Sequence, residues 1–263
     1  MTGLAFPDIS PIAFTLFGLD VRWYSLAYLS GFLLALFYMK KLVKTSPHVT
    51  SPSHKQIEDF ISVAVIGVIL GGRLGYVFFY HPSYFLSNPD EIFAVWKGGM
   101  SFHGGALGVI FALYFYSIYQ KISFLRLADL VCASVPIGLF FGRLANFANG
   151  ELYGRSSDMS WAIRFPQGGG IARHPSQLYE AALEGALLFV LLYLSYKKFH
   201  DKPGITSGFF LAGYGLFRFI VEYFREPDPA YGLILNVVSI GQLLSLPMIL
   251  IGSAIALYFF NRK

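Results

Sequence analysis

Seven long apolar runs divide this 263-residue chain, and they restrict its fold more than any other feature. They extend from Trp23 to Met39, Phe60 to Tyr80, Gly104 to Tyr119, Leu127 to Phe147, Leu178 to Tyr196, Ile205 to Phe224 and Val237 to Phe260. A helix crosses the hydrocarbon core of a bilayer with about 20 mainly apolar residues. A barrel strand needs only about ten, of alternating polarity. These runs are long and continuously apolar, so they predict helices. Charged residues make up 13% of the chain and hydrophobic ones 55%, against roughly 25% charged in soluble domains. So few charges cannot cover a soluble surface, and so apolar a chain does not stay disordered. The fold class is therefore an all-α integral membrane protein, a bundle of about seven transmembrane helices. We expect one polytopic domain over residues 1–263, with small outer head segments near 81–103 and 150–177.

Several other classes fall away. The N-terminal stretch carries Asp8 and Pro11 and no positive region, so it does not read as a cleaved signal peptide. A single cysteine, Cys132, leaves no intrachain disulfide and no cysteine-based metal cluster; we expect it to serve packing. No HExxH, P-loop or dinucleotide fingerprint occurs, so no metal and no nucleotide cofactor is expected. The net charge of +5 comes without a basic run, so nucleic acid is not an expected partner. No internal repeat supports an inverted-repeat transporter.

The basic residues predict an orientation. With the N-terminus outside and the C-terminus inside, every lysine except Lys97 falls on the inner side, as the positive-inside rule asks. The outer loops and the spans hold arginine instead: Arg22, Arg155, Arg164, Arg173 and Arg225 outside, and Arg73, Arg143 and Arg218 within spans. Arginine offers a rigid fork of donors suited to phosphate or carboxylate, while lysine is a hydrated point charge. The outer half thus reads as built to hold an anion.

Ionisable residues inside a membrane default to functional candidates. In the segment from Gly142 to Gly154, helical spacing puts Arg143, Asn146 and Gly150 on one face; the competing reading is a snorkelling arginine with helix-capping asparagines. Arg218 and Glu222 stand four apart, either as a structural ion pair or as a guanidinium oriented by a carboxylate. His103, in Ser101-Phe102-His103-Gly104-Gly105, begins the third run. It is either a hydrogen-bonded structural residue or a base, since imidazole titrates near pH 6.5. His174 to Glu180 marks the entry into the fifth run, where Ser176 is expected to cap the helix with Tyr179 and Glu180 in its first turn. With no GxSxG and no acid partner, His174 and Ser176 do not make a hydrolase dyad. The glycines of Gly71-Gly72-Arg73-Leu74-Gly75-Tyr76 predict close helix packing around a buried cation, Arg73. Tyr24 and Tyr80 lie near outer span ends, where a hydroxyl can donate to a phosphate.

These segments also carry a resemblance. Gly142 to Gly154 resembles the signature of the prolipoprotein diacylglyceryl transferases, and SFHGG around His103, HPSQLYE from His174 and FREPD from Phe224 are similar to other markers of that family. The similarity runs from Trp23-Tyr24 to Gly241-Gln242, with Ala148 where the family signature has a bulkier apolar residue. The resemblance implies a seven-helix enzyme of the bacterial plasma membrane. It would move the diacylglyceryl group of phosphatidylglycerol onto the lipobox cysteine of a prolipoprotein signal peptide, with glycerol 1-phosphate as leaving group. By the same matching Tyr24, Tyr80, His103, Arg143, Asn146, Glu151, Gly154, Arg218 and Glu222 fall on functional positions. His103, Arg143 and Arg218 would be catalytic, and Asn146 and Tyr80 would hold the head group with Glu151 and Glu222 fixing guanidinium groups. Two candidates stand for the thiol base, His103 or a carboxylate. The rivals are a lipid or organic-anion transporter using the same arginines and a membrane scaffold.

Overall fold

A computed structural model describes residues 3–45, 51–227, 232–234 and 237–262. Asp228 of the FREPD segment and the inner-side Lys263 lie outside the described residues. The chain divides into two compact units, Met1–Met39 with Asp129–Lys263, and Lys40–Ala128.

Each apolar run folds as a helix. The first unit begins with β1 (Leu4–Ala5) and a hairpin of β2 (Ile12–Leu16) and β3 (Leu19–Arg22), turned through Phe17 and Gly18, both with positive φ. The short, turn-bearing stretches before Trp23 thus make strands, which the reading by long apolar runs does not anticipate. Helix α1 (Trp23–Thr45) follows and continues into the second unit. There α2 (His54–Phe79) starts on a capping box in which Ser53 and Gln56 satisfy each other's backbone amides. Next come the short α3 (Pro82–Ser87) and two single 3₁₀ turns at Pro89–Glu91 and Val95–Lys97, and then α4 (Phe102–Tyr119), capped by Ser101. Helix α5 (Phe124–Ala148) begins in the second unit and carries the chain back to the first.

In the first unit β4 (Ile163–Arg164) pairs with β1 on one side and β5 (Ala172–Arg173) on the other, so the N-terminal strand is part of the structure built by the 150–177 segment. The fifth run is one continuous rod of three parts: α6 (Ser176–Glu180), a π-helical stretch over Ala181–Leu187, and α7 (Leu188–Phe199). Pro175, not Ser176, holds the N-cap position, and the Ser176 hydroxyl donates to the Leu152 carbonyl instead. Helix α8 (Ile205–Val221), the short β6 (Leu233–Ile234) and β7 (Val238–Ser239), and α9 (Ile240–Asn261) complete the chain.

Six of these rods are long and apolar enough to cross a membrane, and α8 is a shorter apolar helix. Its run was expected to reach Phe224. It ends at Val221, where the pattern tightens to i−3 bonds from the Tyr223 and Phe224 amides to the Ile220 and Val221 carbonyls, and the Phe224 carbonyl then accepts the Arg155 amide.

Small residues set the helix contacts, as the paired glycines predict. In the second unit Gly67, Gly71 and Gly75 of α2 lie against Gly104 and Gly108 of α4, so that a Cβ on Gly75 would stand 2.7 Å from the Gly104 Cα. In the first unit Gly208 of α8 meets Gly252 and Ala256 of α9, with a built Cβ only 2.7 Å from the Ala256 amide nitrogen. Asp129 ties α5 to the start of α8 by accepting the Gly204 and Ser207 amides, each at 2.7 Å.

At Gly104 the atoms a methyl would strike are backbone of α2, which cannot step aside alone. Gly104→Ala is therefore expected to lower stability by about 1–3 kcal/mol, the usual range for overpacking. At Gly142 nothing lies within 4 Å of a built Cβ, so Gly142→Ala leaves the thermal midpoint in detergent unchanged or raised. Equal midpoints for the two variants would refute the packing argument.

Candidate active site

Glu180 and Glu184 lie four residues apart in an otherwise apolar rod, and both side chains are completely buried. The π-helical stretch between and beyond them brings Gly185 hard against α5, where a Cβ would stand 2.8 Å from the Cβ of Phe140. Such local widening of a helix is frequent at functional sites. Arg143 lies one turn beyond Phe140 on α5, and Arg218 projects from the last turn of α8.

The Glu180 carboxylate is the hub of the resulting cluster. Its Oε1 accepts Nη1 of Arg218 and Nη1 of Arg225, each at 2.7 Å, and its Oε2 lies 3.2 Å from Nε of Arg143. Glu184 adds a 3.5 Å contact to Nη2 of Arg143 and a 3.9 Å contact to Arg218. Glu222 pairs with Arg218, as their spacing predicts, and lies 3.4 Å from Nε of Arg225. The Ser239 hydroxyl, which also caps α9, donates to the other Glu222 oxygen at 2.7 Å. Beneath the cluster Leu188, Leu192 and Phe217 form an apolar core. Three arginines thus face three glutamates, as burial of charge in an apolar bundle requires.

Exposure within the cluster is lopsided. The glutamate side chains are 0%, 0% and 6% exposed, while Arg143, Arg218 and Arg225 keep 18%, 19% and 18%. The carboxylates form the floor, and the arginine side chains are the more exposed members of the cluster.

Tyr24, Asn146 and Glu151 form a second polar group in the same unit. The Tyr24 hydroxyl donates to Glu151, and the Asn146 amide donates to both, reaching Glu151 at 3.0 Å. Gln177 fixes this turn by donating to the Glu151 carbonyl at 2.6 Å. Three expectations change here. Asn146 takes partners different from those of Arg143. Gly150 shares no helical face with them, because α5 ends at Ala148 and Gly150 has a φ of 66°. Glu151 meets Tyr24 and Asn146 instead of a guanidinium, since the turn after α5 directs it back toward α1.

Gly154 has a steric duty. Its amide donates to the His174 carbonyl at 2.8 Å and it bridges Arg225, so a Cβ there would lie 3.0 Å from the His174 carbonyl and would strike the Phe224 carbonyl. Next to it Arg155 donates from Nε to the Arg225 carbonyl at 2.8 Å, which fixes the backbone that carries one arginine of the cluster. The His174 ring packs on Phe224 and Tyr179, and this burial holds its imidazole below the ordinary histidine range. His103 and Tyr80 belong to the other unit. His103 is exposed in the first turn of α4, and Tyr80 is exposed just past α2, stacked on Tyr76.

Sequence reasoning missed Glu184, Arg225 and Arg155 as parts of the site and read Glu180 only as a first-turn residue. The signal was present for the glutamates, because two carboxylates four apart in an apolar run are as costly in lipid as Arg143 is.

Fold and site together define a multi-pass helical membrane protein with an ionic site built between its helices. The family model described as prolipoprotein diacylglyceryl transferase matches residues 11–258, and the chain belongs to that family. It is thus a transferase of a bacterial membrane. The chain is 49% identical over 262 residues to a phosphatidylglycerol–prolipoprotein diacylglyceryl transferase of Paramagnetospirillum magneticum, covering 98% of this chain and 97% of that one. Proteins of the same name from Rickettsia felis and Idiomarina loihiensis are 52% and 51% identical, covering 95% and 94% of this chain and 96% and 92% of theirs.

Because Glu180 holds three guanidinium groups, Glu180→Gln is expected to remove about 3–5 kcal/mol, the usual loss when one partner of a buried pair is taken away. Thermal unfolding in detergent measures it, and a wild-type midpoint would show that the hub carries no weight.

Proposed function

We propose that this chain transfers the diacylglyceryl group of phosphatidylglycerol to the thiol of the lipobox cysteine in an exported prolipoprotein. The observation that carries this reading is the lopsided exposure of the cluster, in which three arginines stand more exposed than the carboxylates that anchor them. A lipid phosphate carries paired anionic oxygens that the planar fork of arginine binds better than lysine does.

In this reading Arg143 and Arg218, with Arg225 beside them, hold the phosphate. The cysteine thiolate attacks the glyceryl carbon, forming a sulfur–carbon bond as the carbon–oxygen bond breaks, and the bonding electrons leave on the phosphate oxygen of glycerol 1-phosphate. The leaving group gains negative charge as it departs, so arginines already fixed in place favour the transition state over the bound lipid. Donors of this kind are each worth about 3 kcal/mol. Glu180, Glu184 and Glu222 keep the guanidinium groups oriented without neutralising the exposed side. Tyr24, Asn146 and Glu151 make a polar ledge suited to the hydroxyls of the phosphoglycerol head, and Tyr80 offers a further hydroxyl. Gly154 keeps its own segment close to Arg225.

A thiol must lose its proton to become the nucleophile. His103 is the proposed acceptor: an exposed imidazole in the first turn of α4. Its place in the SFHGG segment supports this assignment. The distribution of lysine and arginine supports an N-terminus outside and a C-terminus in the cytoplasm, which would place the head segments where exported signal peptides arrive.

The test is purified protein with labelled phosphatidylglycerol and a lipobox peptide. Wild type forms a thioether-linked product; Arg143→Ala stays folded and loses turnover by at least about 10²-fold, as for removal of a transition-state donor. Near-wild-type turnover in that variant would defeat the phosphate role. For a base, protonation stops catalysis, so wild-type kcat/KM falls on the acid side. His103→Gln is expected to turn over slowly, bind the lipid normally and lack that acid limb. An unchanged pH profile would exclude His103 as the proton acceptor.

A further inference from the structure

Arg73 is the third arginine within the apolar runs, and its environment differs from that of Arg143 and Arg218. It lies on α2 with 3% of its surface exposed. Its donors go to main-chain carbonyls: Nε to Ile92 at 2.8 Å, Nη2 to Glu91 at 2.7 Å, and Nη1 to Gly98 at 2.5 Å and Gly99 at 3.3 Å. Four of the five N–H groups of a guanidinium are thereby used. The Tyr76 and Phe85 rings flank it at 5.8 and 5.1 Å. A fork so occupied and so buried has little left to offer a phosphate.

What it holds is the loop that leads into α4. Gly98 and Gly99 both have a φ of 80°, a conformation that leaves their carbonyls free to converge on Arg73. The Ser101 amide donates to the Gly72 carbonyl at 2.8 Å, and the Ser101 hydroxyl accepts the Gly104 amide at 3.2 Å and so caps α4. Residues 98–101 are therefore fastened to α2 by a guanidinium on one side and a backbone hydrogen bond on the other. His103 follows two residues later, in the first turn of the capped helix.

We infer that Arg73 is a positioning residue for His103: it fixes the 91–99 backbone through four carbonyls and thereby sets where the imidazole stands at the start of α4. The inference rests on the reading of His103 as the base. Lysine cannot substitute, because one ammonium lacks the planar fork that spans carbonyls from two separate turns.

The test is a double-mutant cycle on the full chain with labelled phosphatidylglycerol and a lipobox peptide. Arg73→Lys is expected to lower kcat by about 10²-fold, the scale of a 1 Å misplacement of a reacting group, with KM for the lipid unchanged. Amides of Gly98 to Ser101 exchange faster with solvent while those of α2 and α4 keep their protection. Added to His103→Gln, Arg73→Lys costs nothing further, since residues acting through one group are not additive. Methylguanidinium restores turnover to Arg73→Ala; if that variant does not insert, the cycle and the exchange rates on Arg73→Lys decide. Wild-type kcat in Arg73→Lys, a raised KM with kcat retained, or an equal loss with and without His103 would each overturn the inference. A fully active His103→Gln would instead defeat the base assignment itself, so the two failures are told apart.

Discussion

A completely buried glutamate carboxylate that binds three guanidinium groups is the interaction on which the rest of the first unit depends. In an apolar bundle no single charge of Arg143, Arg218 or Arg225 would be tolerable alone. Glu180 makes them tolerable together, because its two oxygens reach all three, and Glu184 and Glu222 complete the balance. The same geometry leaves the arginine side chains more exposed than the carboxylates. A neutral cluster can therefore still act as a cationic surface toward a ligand, and its net charge is a poor guide to its chemistry.

The fold arranges for this cluster at some distance from it in sequence. Ser239 caps α9 and holds Glu222 with one hydroxyl, so the start of the last helix and the orientation of the Arg218 partner are one event. Gly154 and Arg155 hold the segment that carries Arg225, and the π-helical stretch after Glu180 brings α5 close at Gly185. In the second unit a comparable economy holds around Arg73, where one side chain organises the loop before α4. Close glycine contacts in both units allow helices to approach without side chains between them.

Much of this was legible in the sequence. The apolar runs located every long helix to within a few residues at most ends, because hydrophobic length is a local property. The pairing of Arg218 with Glu222 followed from helical spacing, and the packing role of Gly71 and Gly75 followed from their spacing in an apolar run. What escaped was set by tertiary contacts. Glu180 looked like an entry-turn residue, and Glu184 drew no notice, until Arg143 and Arg225 arrived from elsewhere in the chain. Glu151 looked like a partner for arginine until the turn at Gly150 directed it toward Tyr24. Strand β1 escaped because it gains its partner only from residues 163–164, far along the chain.

The central claim is that the phosphate of the lipid rests on the exposed faces of these arginines. Phosphorus NMR of phosphatidylglycerol in nanodiscs containing the protein tests it directly. The account predicts a shifted or broadened phosphorus resonance with wild type and with His103→Gln, and its return to the free-lipid position with Arg143→Ala and with Arg218→Ala. A resonance that wild type leaves unmoved, or one that stays perturbed in both arginine variants, would contradict it.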